Sequence, residues 1–308
     1  MCRAMMYSGR SVLLDDLLFK PSHSLIQQTL NPKELDLLNL GGFGLTAWDP
    51  SSFEPEQPFE YRSMSLPLFD RNLKSIAEKV RTSCMLAHVR GVPYGVTSDL
   101  GEANLHPFRY GKFAWIMAHN GALSGFQGMR HEMIKHMSPG VVRHLSGNTD
   151  SEAIYALVMS QLSNPQTDRE PAKLVDALTR ALRIVRQIRK AAGEQLSSSL
   201  NLFFTNGVDC VALRFVFDFG CYPTSSPGEI RATAMRYLSL WYTTGESYRE
   251  VSGDWRMSGD PGSTRSVLVA SEPLSTDKTG WVEVPEYSVL VLERHNNETR
   301  AQTIAIDV

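Results

Sequence analysis

No run of about 18 consecutive apolar residues occurs in the 308-residue chain, so nothing in it reads as a membrane-spanning helix. The opening Met1-Cys2-Arg3-Ala4-Met5-Met6 lacks the apolar core and cleavage site of a secretory signal, which points to a cytoplasmic protein. Cysteine is scarce: Cys2, Cys84, Cys210 and Cys221 include no C-x-x-C pair, which argues against a zinc ribbon or a thioredoxin-like site. Without export, the thiols are expected to stay reduced. Charge of one sign is lacking too. The net charge of −2 argues against nucleic-acid binding, and the basic run Arg183, Arg186, Arg189 and Lys190 reads as a solvated helix face. There is no internal repeat and no low-complexity tail. What is present, 42% hydrophobic and 21% charged residues, suits a globular chain able to bury a core without staples.

Many short β-like runs dominate the pattern. They lie at 2–7, 42–48, 83–90, 113–119, 200–205, 210–217, 236–243, 266–271, 281–284 and 288–293. Asn206-Gly207 between two of them is a hairpin signal. Helical periodicity appears at 151–162, behind the cap candidates Asn148, Thr149 and Asp150, and at 173–192, where Leu174, Leu178, Leu182, Val185 and Ile188 share one face. A further helix is expected near 72–79. Pro- and Ser-rich excursions are expected at 49–58 and 222–228, with another loop at 252–264. Hairpins at both ends with helices between them imply an α+β layered fold rather than a βαβ alternation. The recognisable strands and helices run on to the end, so residues 2–308 read as a single domain.

Cys2 is the first candidate for chemistry. With 4 cysteines in 308 residues, chance places one at position 2 about once in 77 chains, so position alone proves nothing. Removal of Met1 ahead of a small side chain leaves Cys2 with a thiol and a free α-amine. An α-amine of reference pKa about 7.7–8.0 can take the thiol proton directly or through one water. One residue then supplies nucleophile and base. In Leu86-Ala87-His88-Val89-Arg90, strand alternation puts His88 and Arg90 on one face. Arg90 at the strand end can fork onto a carboxylate, or simply form a surface ion pair; His88 reads as a satisfied core histidine. In His119-Asn120-Gly121, the Asn120 amide and the Gly121 N–H can face a developing oxyanion, and Gly121 permits a tight turn; a plain Asn-Gly turn is the alternative. In Thr149-Asp150-Ser151-Glu152, Asp150 can pair with a substrate ammonium or merely cap the helix.

Taken in order, Cys2, His88-Val89-Arg90, Asn104-x-His106-Pro107-Phe108, His119-Asn120-Gly121 and Thr149-Asp150-Ser151-Glu152 form a specific series. It resembles the class II glutamine amidotransferases, and within them the stand-alone YafJ-type branch with the γ-glutamyl hydrolases of ergothioneine synthesis and glutathione degradation. Softer likenesses lie at Pro21–Ile26, Gly42–Leu45 and Ala270-Ser271-Glu272-Pro273-Leu274. The resemblance implies an Ntn-hydrolase fold, a four-layer αββα sandwich of two mainly antiparallel sheets. It implies Cys2 as nucleophile, an oxyanion hole from Asn120 and Gly121, Arg90 on the substrate α-carboxylate and Asp150 on its α-amine. It implies neither metal nor cofactor.

One departure stands out. The family usually continues after this arginine with a small residue and then Thr, Ser or Asn before a Gly. Here the run is Arg90-Gly91-Val92-Pro93-Tyr94-Gly95, and Pro93 has no side-chain donor and no N–H. The glutamyl end is then held differently, or the preferred donor is not free glutamine. A metalloprotease reading of His131 and His136 fails on geometry, because i, i+5 spacing sets two imidazoles about 140° apart on a helix. The expected activity is hydrolysis of a small γ-glutamyl substrate. Two readings stay open beside it: a glutaminase subunit feeding ammonia to a separate partner enzyme, and a non-catalytic binding module. A homo-oligomer stays open as well.

Overall fold

The computed structural model describes residues 2–33, 38–92, 100–221, 239–260 and 262–308. Two antiparallel sheets form the centre. The first runs in the order β12 (Val282–Glu283), β8 (Trp241–Gly245), β11 (Ser266–Ala270), β1 (Arg3–Leu13), β4 (Arg81–Val89), β2 (Phe43–Trp48) and β3 (Phe59–Ser63). The second runs β14 (Glu298–Ala305), β13 (Ser288–His295), β7 (Cys210–Phe217), β6 (Ser198–Thr205) and β5 (Ile116–Ala122). β9 (Ser247–Val251) and β10 (Asp254–Ser258) make a separate hairpin.

Side-chain alternation explains why the sheets stack. On β1, Met5 and Tyr7 face outward into a core shared with Leu14, Leu17 and Leu18 of α1 (Leu14–Leu18) and Leu73 and Ala77 of α2 (Arg71–Ala77). Ala4 and Met6 face the other way, against Ile116 and Ala118 of β5 and Ala212 of β7. The free thiols of Cys84 and Cys210 are buried in this inter-sheet layer. The outer face of the second sheet is covered by α3 (Phe126–Lys135), α4 (Pro139–Val142), α5 (Asp150–Ser160) and α6 (Pro171–Ala191). Helices, sheet, sheet and helices give the αββα sandwich.

All five apolar positions predicted for one face of α6 are buried. The basic run on that helix behaves differently from expectation. Arg183 and Lys190 are exposed, but Arg189 is only 2% exposed. It donates to Ser198 Oγ at 2.6 Å and pairs with Asp218 Oδ2 at 2.8 Å, its guanidinium lying over the Phe217 ring. The stretch at 252–264, expected as a loop, contains β10: Ser252 and Gly253, both with positive φ, turn the chain between β9 and β10. β14 has too little apolar alternation to show in sequence. It forms because Asn296 and Asn297 both take positive φ, which suits the two-residue turn of a tight hairpin.

Candidate active site

Cys2 immediately precedes β1, and the pairing of Arg3 with Val89 fixes what lies beside it. The continuation of β4 brings Arg90 and Gly91 alongside, with Gly91 N–H donating to Cys2 Sγ at 3.4 Å. Arg90 is held by its backbone, its N–H on Gly42 O at 2.8 Å and its carbonyl on Gly41 N–H at 2.7 Å. From the second sheet, the end of β5 supplies Gly121. The start of α5 supplies Asp150. Cys2, Arg90, Gly121 and Asp150 thus border one cleft of about 430 Å³, together with His106 and Asn148.

Gly121 does not sit in a turn. It lies within β5 opposite Leu200, and a Cβ there would fall 2.0 Å from Ser199 O and 2.5 Å from His119 Nε2. Glycine is needed for close approach to β6, and the turn comes later, at Gly125 with φ +70°.

The four residues of Thr149-Asp150-Ser151-Glu152 divide their labour. Thr149 is the helix cap, its Oγ1 accepting from Glu152 N–H at 3.2 Å. Asp150 is therefore not the cap. Its carboxylate accepts from Leu123 N–H at 2.7 Å and Ser151 N–H at 2.8 Å while bordering the cleft. Ser151 Oγ lies 2.9 Å from His119 Nδ1. Glu152, 1% exposed, accepts from the N–H groups of Ser146 and Gly147 and from Tyr110 Oη, so it folds the loop ahead of the helix.

The Asn104-x-His106-Pro107-Phe108 segment locks onto this loop. Asn104 Nδ2 donates to Asn148 Oδ1 at 2.7 Å, and Asn148 N–H donates to Asn104 Oδ1 at 3.1 Å. Gly44 makes room for the segment, since a Cβ there would fall 1.8 Å from His106 O. Three buried histidines lie at the cleft, with His106 bordering it. The Nε2 of His88 is 3.1 Å from His119 O, which fixes it as the donor, and its ring lies 4.0 Å from that of His106. Burial, aided by the Arg90 charge, pushes His88 down to about 3. Burial also lowers His106 and His119, so all three are neutral near pH 7. His88 is a satisfied core residue, as its position in the strand suggested.

Asn120 stands one residue before Gly121, on the face of β5 turned toward the first sheet. It is 2% exposed, next to the Gly121 that borders the cleft. Its Nδ2 donates to Ser271 Oγ at 2.9 Å, and its Oδ1 has no partner among the described residues. Next to Ser271, Glu272 forms a buried ion pair with Arg3 at 2.7 Å, and Arg3 Nη1 donates to Cys2 O at 3.0 Å. Burial favours the neutral Glu272 carboxyl, but the His23 contact and the Arg3 charge outweigh it and hold the group at about 2. Sequence reasoning gave Ser271 and Glu272 no role. They were visible only as a motif fragment, and no spacing rule links residues 3 and 272. Pro93 lies outside the described residues, as does Met1. Among the described residues, no cluster of His, Cys, Asp and Glu has the makings of a metal site, and no helix is long and apolar enough to cross a membrane.

The family model for class II glutamine amidotransferases matches residues 70–215, a stretch holding Arg90, Asn120, Gly121 and Asp150. The probable glutamine amidotransferase DUG3 of Saccharomyces cerevisiae is 28% identical over 312 residues, spanning 96% of this chain and 82% of the yeast protein. The γ-glutamyl-hercynylcysteine sulfoxide hydrolase of Mycobacterium tuberculosis is 29% identical over 125 residues, 40% of this chain and 50% of the hydrolase. Among solved structures, a class II domain protein from Silicibacter pomeroyi superposes with TM-score 0.59 at 20% identity, over 99% of this chain and all of the other. The glutamine phosphoribosylpyrophosphate amidotransferase of B. subtilis gives TM-score 0.56 at 14% identity, over all of this chain and half of the larger protein. These two likenesses speak for the fold. By the family model over residues 70–215 and by the yeast relative over most of its length, the chain is similar to the class II glutamine amidotransferases, on the αββα sandwich that the solved structures share.

Proposed function

We propose that the enzyme hydrolyses the γ-glutamyl amide bond of glutamine or of a γ-glutamyl compound, with Cys2 as an N-terminal nucleophile. The observation that carries this reading is the convergence of Cys2, Arg90, Gly121 and Asp150 on one cleft from four separated stretches of chain. Its volume of about 430 Å³ suits a small-molecule substrate. Residues 2–308 act here as one catalytic domain.

In this mechanism, loss of Met1 frees the Cys2 α-amine. The amine takes the thiol proton as Sγ attacks the δ-carbonyl of the substrate. The negative charge on the carbonyl oxygen falls to the Gly121 N–H and the Asn120 amide, and donors set before the reaction avoid reorganisation cost. The ammonium of Cys2 returns the proton to the departing nitrogen, the C–N bond breaks, and a glutamyl thioester forms. Water, deprotonated by the same amine, attacks the thioester and releases glutamate and the thiol. Arg90 holds the α-carboxylate and Asp150 the α-ammonium. The three neutral histidines act in none of these steps.

The M. tuberculosis relative is a γ-glutamyl hydrolase by name, which favours a substituted γ-glutamyl compound as substrate. Purified protein of intact mass lacking Met1, incubated with glutamine and with a panel of γ-glutamyl peptides and amines, is expected to release glutamate without any added protein. Activity that emerges only with a second protein would assign the chain to an ammonia-delivering subunit instead.

A further inference from the structure

We infer that Ser271 is a positioning residue that sets which end of the Asn120 amide faces the reacting centre. The inference rests on the oxyanion role proposed for Asn120. Ser271 directly follows β11 and joins both sheets at the site. Its N–H donates to Ala4 O at 3.0 Å, and its Oγ accepts from Ala4 N–H at 3.1 Å, which fixes the strand two residues beyond the nucleophile. The same Oγ lies 2.9 Å from the Asn120 amide at the end of β5.

Counting donors and acceptors decides the orientation. A serine hydroxyl has two acceptor sites and one proton. With Asn120 Nδ2 and Ala4 N–H both donating to it, the hydroxyl proton has no acceptor among the described residues, and Asn120 Oδ1 is also buried without a partner. Turning the amide by 180° about χ2 pairs the Ser271 proton with Oδ1 and leaves the two Nδ2 hydrogens as the unmet groups, two in place of three. Ser271 then donates its proton to Oδ1, and both hydrogens of Nδ2 are left for an oxygen that becomes charged. Oxygen and nitrogen of an amide are told apart by such accounting, and each unmet buried group disfavours the alternative. The hydroxyl of Ser271 thus makes Asn120 a preorganised donor and keeps the carbonyl dipole of its amide away from the developing oxyanion.

The test uses the full-length enzyme lacking Met1, with Ser271→Ala, Ser271→Thr and Asn120→Ala. Cys2 is labelled with the diazomethyl-ketone analogue of L-glutamine, whose carbonyl sits where the oxyanion forms, and separately with iodoacetamide, which needs no oxyanion hole. Rates are read by intact mass. Ser271→Ala is expected to slow labelling by the glutamine analogue about tenfold or more while iodoacetamide alkylation stays within twofold, and Ser271→Thr is expected to recover most of the rate. Equal slowing with both reagents, or no slowing with either, overturns the positioning role. If Asn120→Ala slows analogue labelling and Ser271→Ala does not, the inference alone fails. If Asn120→Ala leaves labelling unchanged, or the wild-type enzyme is not labelled by the analogue, the proposed function fails with it.

Discussion

Replacing Asp150 with Asn tests the grip on the substrate with little change in shape. The carboxylate borders the cleft at the first turn of α5, and its two oxygens each accept one backbone N–H, from Leu123 and Ser151. Asparagine keeps one acceptor oxygen, so one of these contacts is lost, at about 1 kcal/mol of stability. The charge is lost entirely. A hydrogen bond between charged groups contributes about 1.5–3 kcal/mol, and about 1.4 kcal/mol corresponds to a tenfold change in affinity. KM for glutamine or a γ-glutamyl peptide is therefore expected to rise about 10- to 100-fold, with kcat within about threefold. The assay compares amide hydrolysis of glutamine with that of its des-amino analogue, glutaramate, which has no ammonium to pair. The analogue is expected to be a poor substrate of the wild type and no worse for the variant. An equal rise in KM for both compounds would refute the pairing and reduce Asp150 to an anchor for Leu123.

Cys2→Ala is expected to abolish glutamate release while the thermal unfolding midpoint stays close to that of the wild type; residual turnover above about one part in a thousand ends the nucleophile assignment. Gly121→Ala forces a methyl against Ser199 O, and both activity and unfolding temperature are expected to fall, since β5 must separate from β6 to admit it. Glu272→Gln leaves the buried Arg3 guanidinium without its counter-charge and is expected to cost about 3–5 kcal/mol in denaturant unfolding. The wild-type carboxyl is lowered from 4.5 to about 2, so its contribution is present above about pH 4.5 and lost as pH falls toward 2. The variant should lack that segment of the acid-unfolding curve, and an unchanged curve refutes the ion-pair assignment.

Residues close in sequence made most of the site legible. Arg90, Gly121 and Asp150 each end or begin an element whose period is plain, and the order of the motifs supplied what no single spacing could. The edge strands were harder. β14 is largely exposed, with Glu298, Arg300 and Gln302 in place of an apolar stripe, so its pairing with β13 has no signature beyond the two asparagines of the turn. Arg189 was misread because helical spacing alone cannot show that Asp218, Ser198 and the Phe217 ring close over it. Gly121 was expected to permit a tight turn, but the crowding that requires glycine comes from Ser199, nearly eighty residues away, and not from a local bend. The Ser271 contacts were invisible for the same cause, since they depend on β11 lying beside β1.

That pairing also sets a schedule for synthesis. β1 precedes every other described strand, yet one of its two flanking strands is β11, at residues 266–270. During translation the strand carrying Cys2 therefore waits half-paired until most of the polypeptide exists. The contacts of Ser271 with Ala4 and with Asn120 form only after that distal strand docks. If the proposed mechanism holds, a competent site is assembled late, once the segment around residue 271 has joined the first sheet.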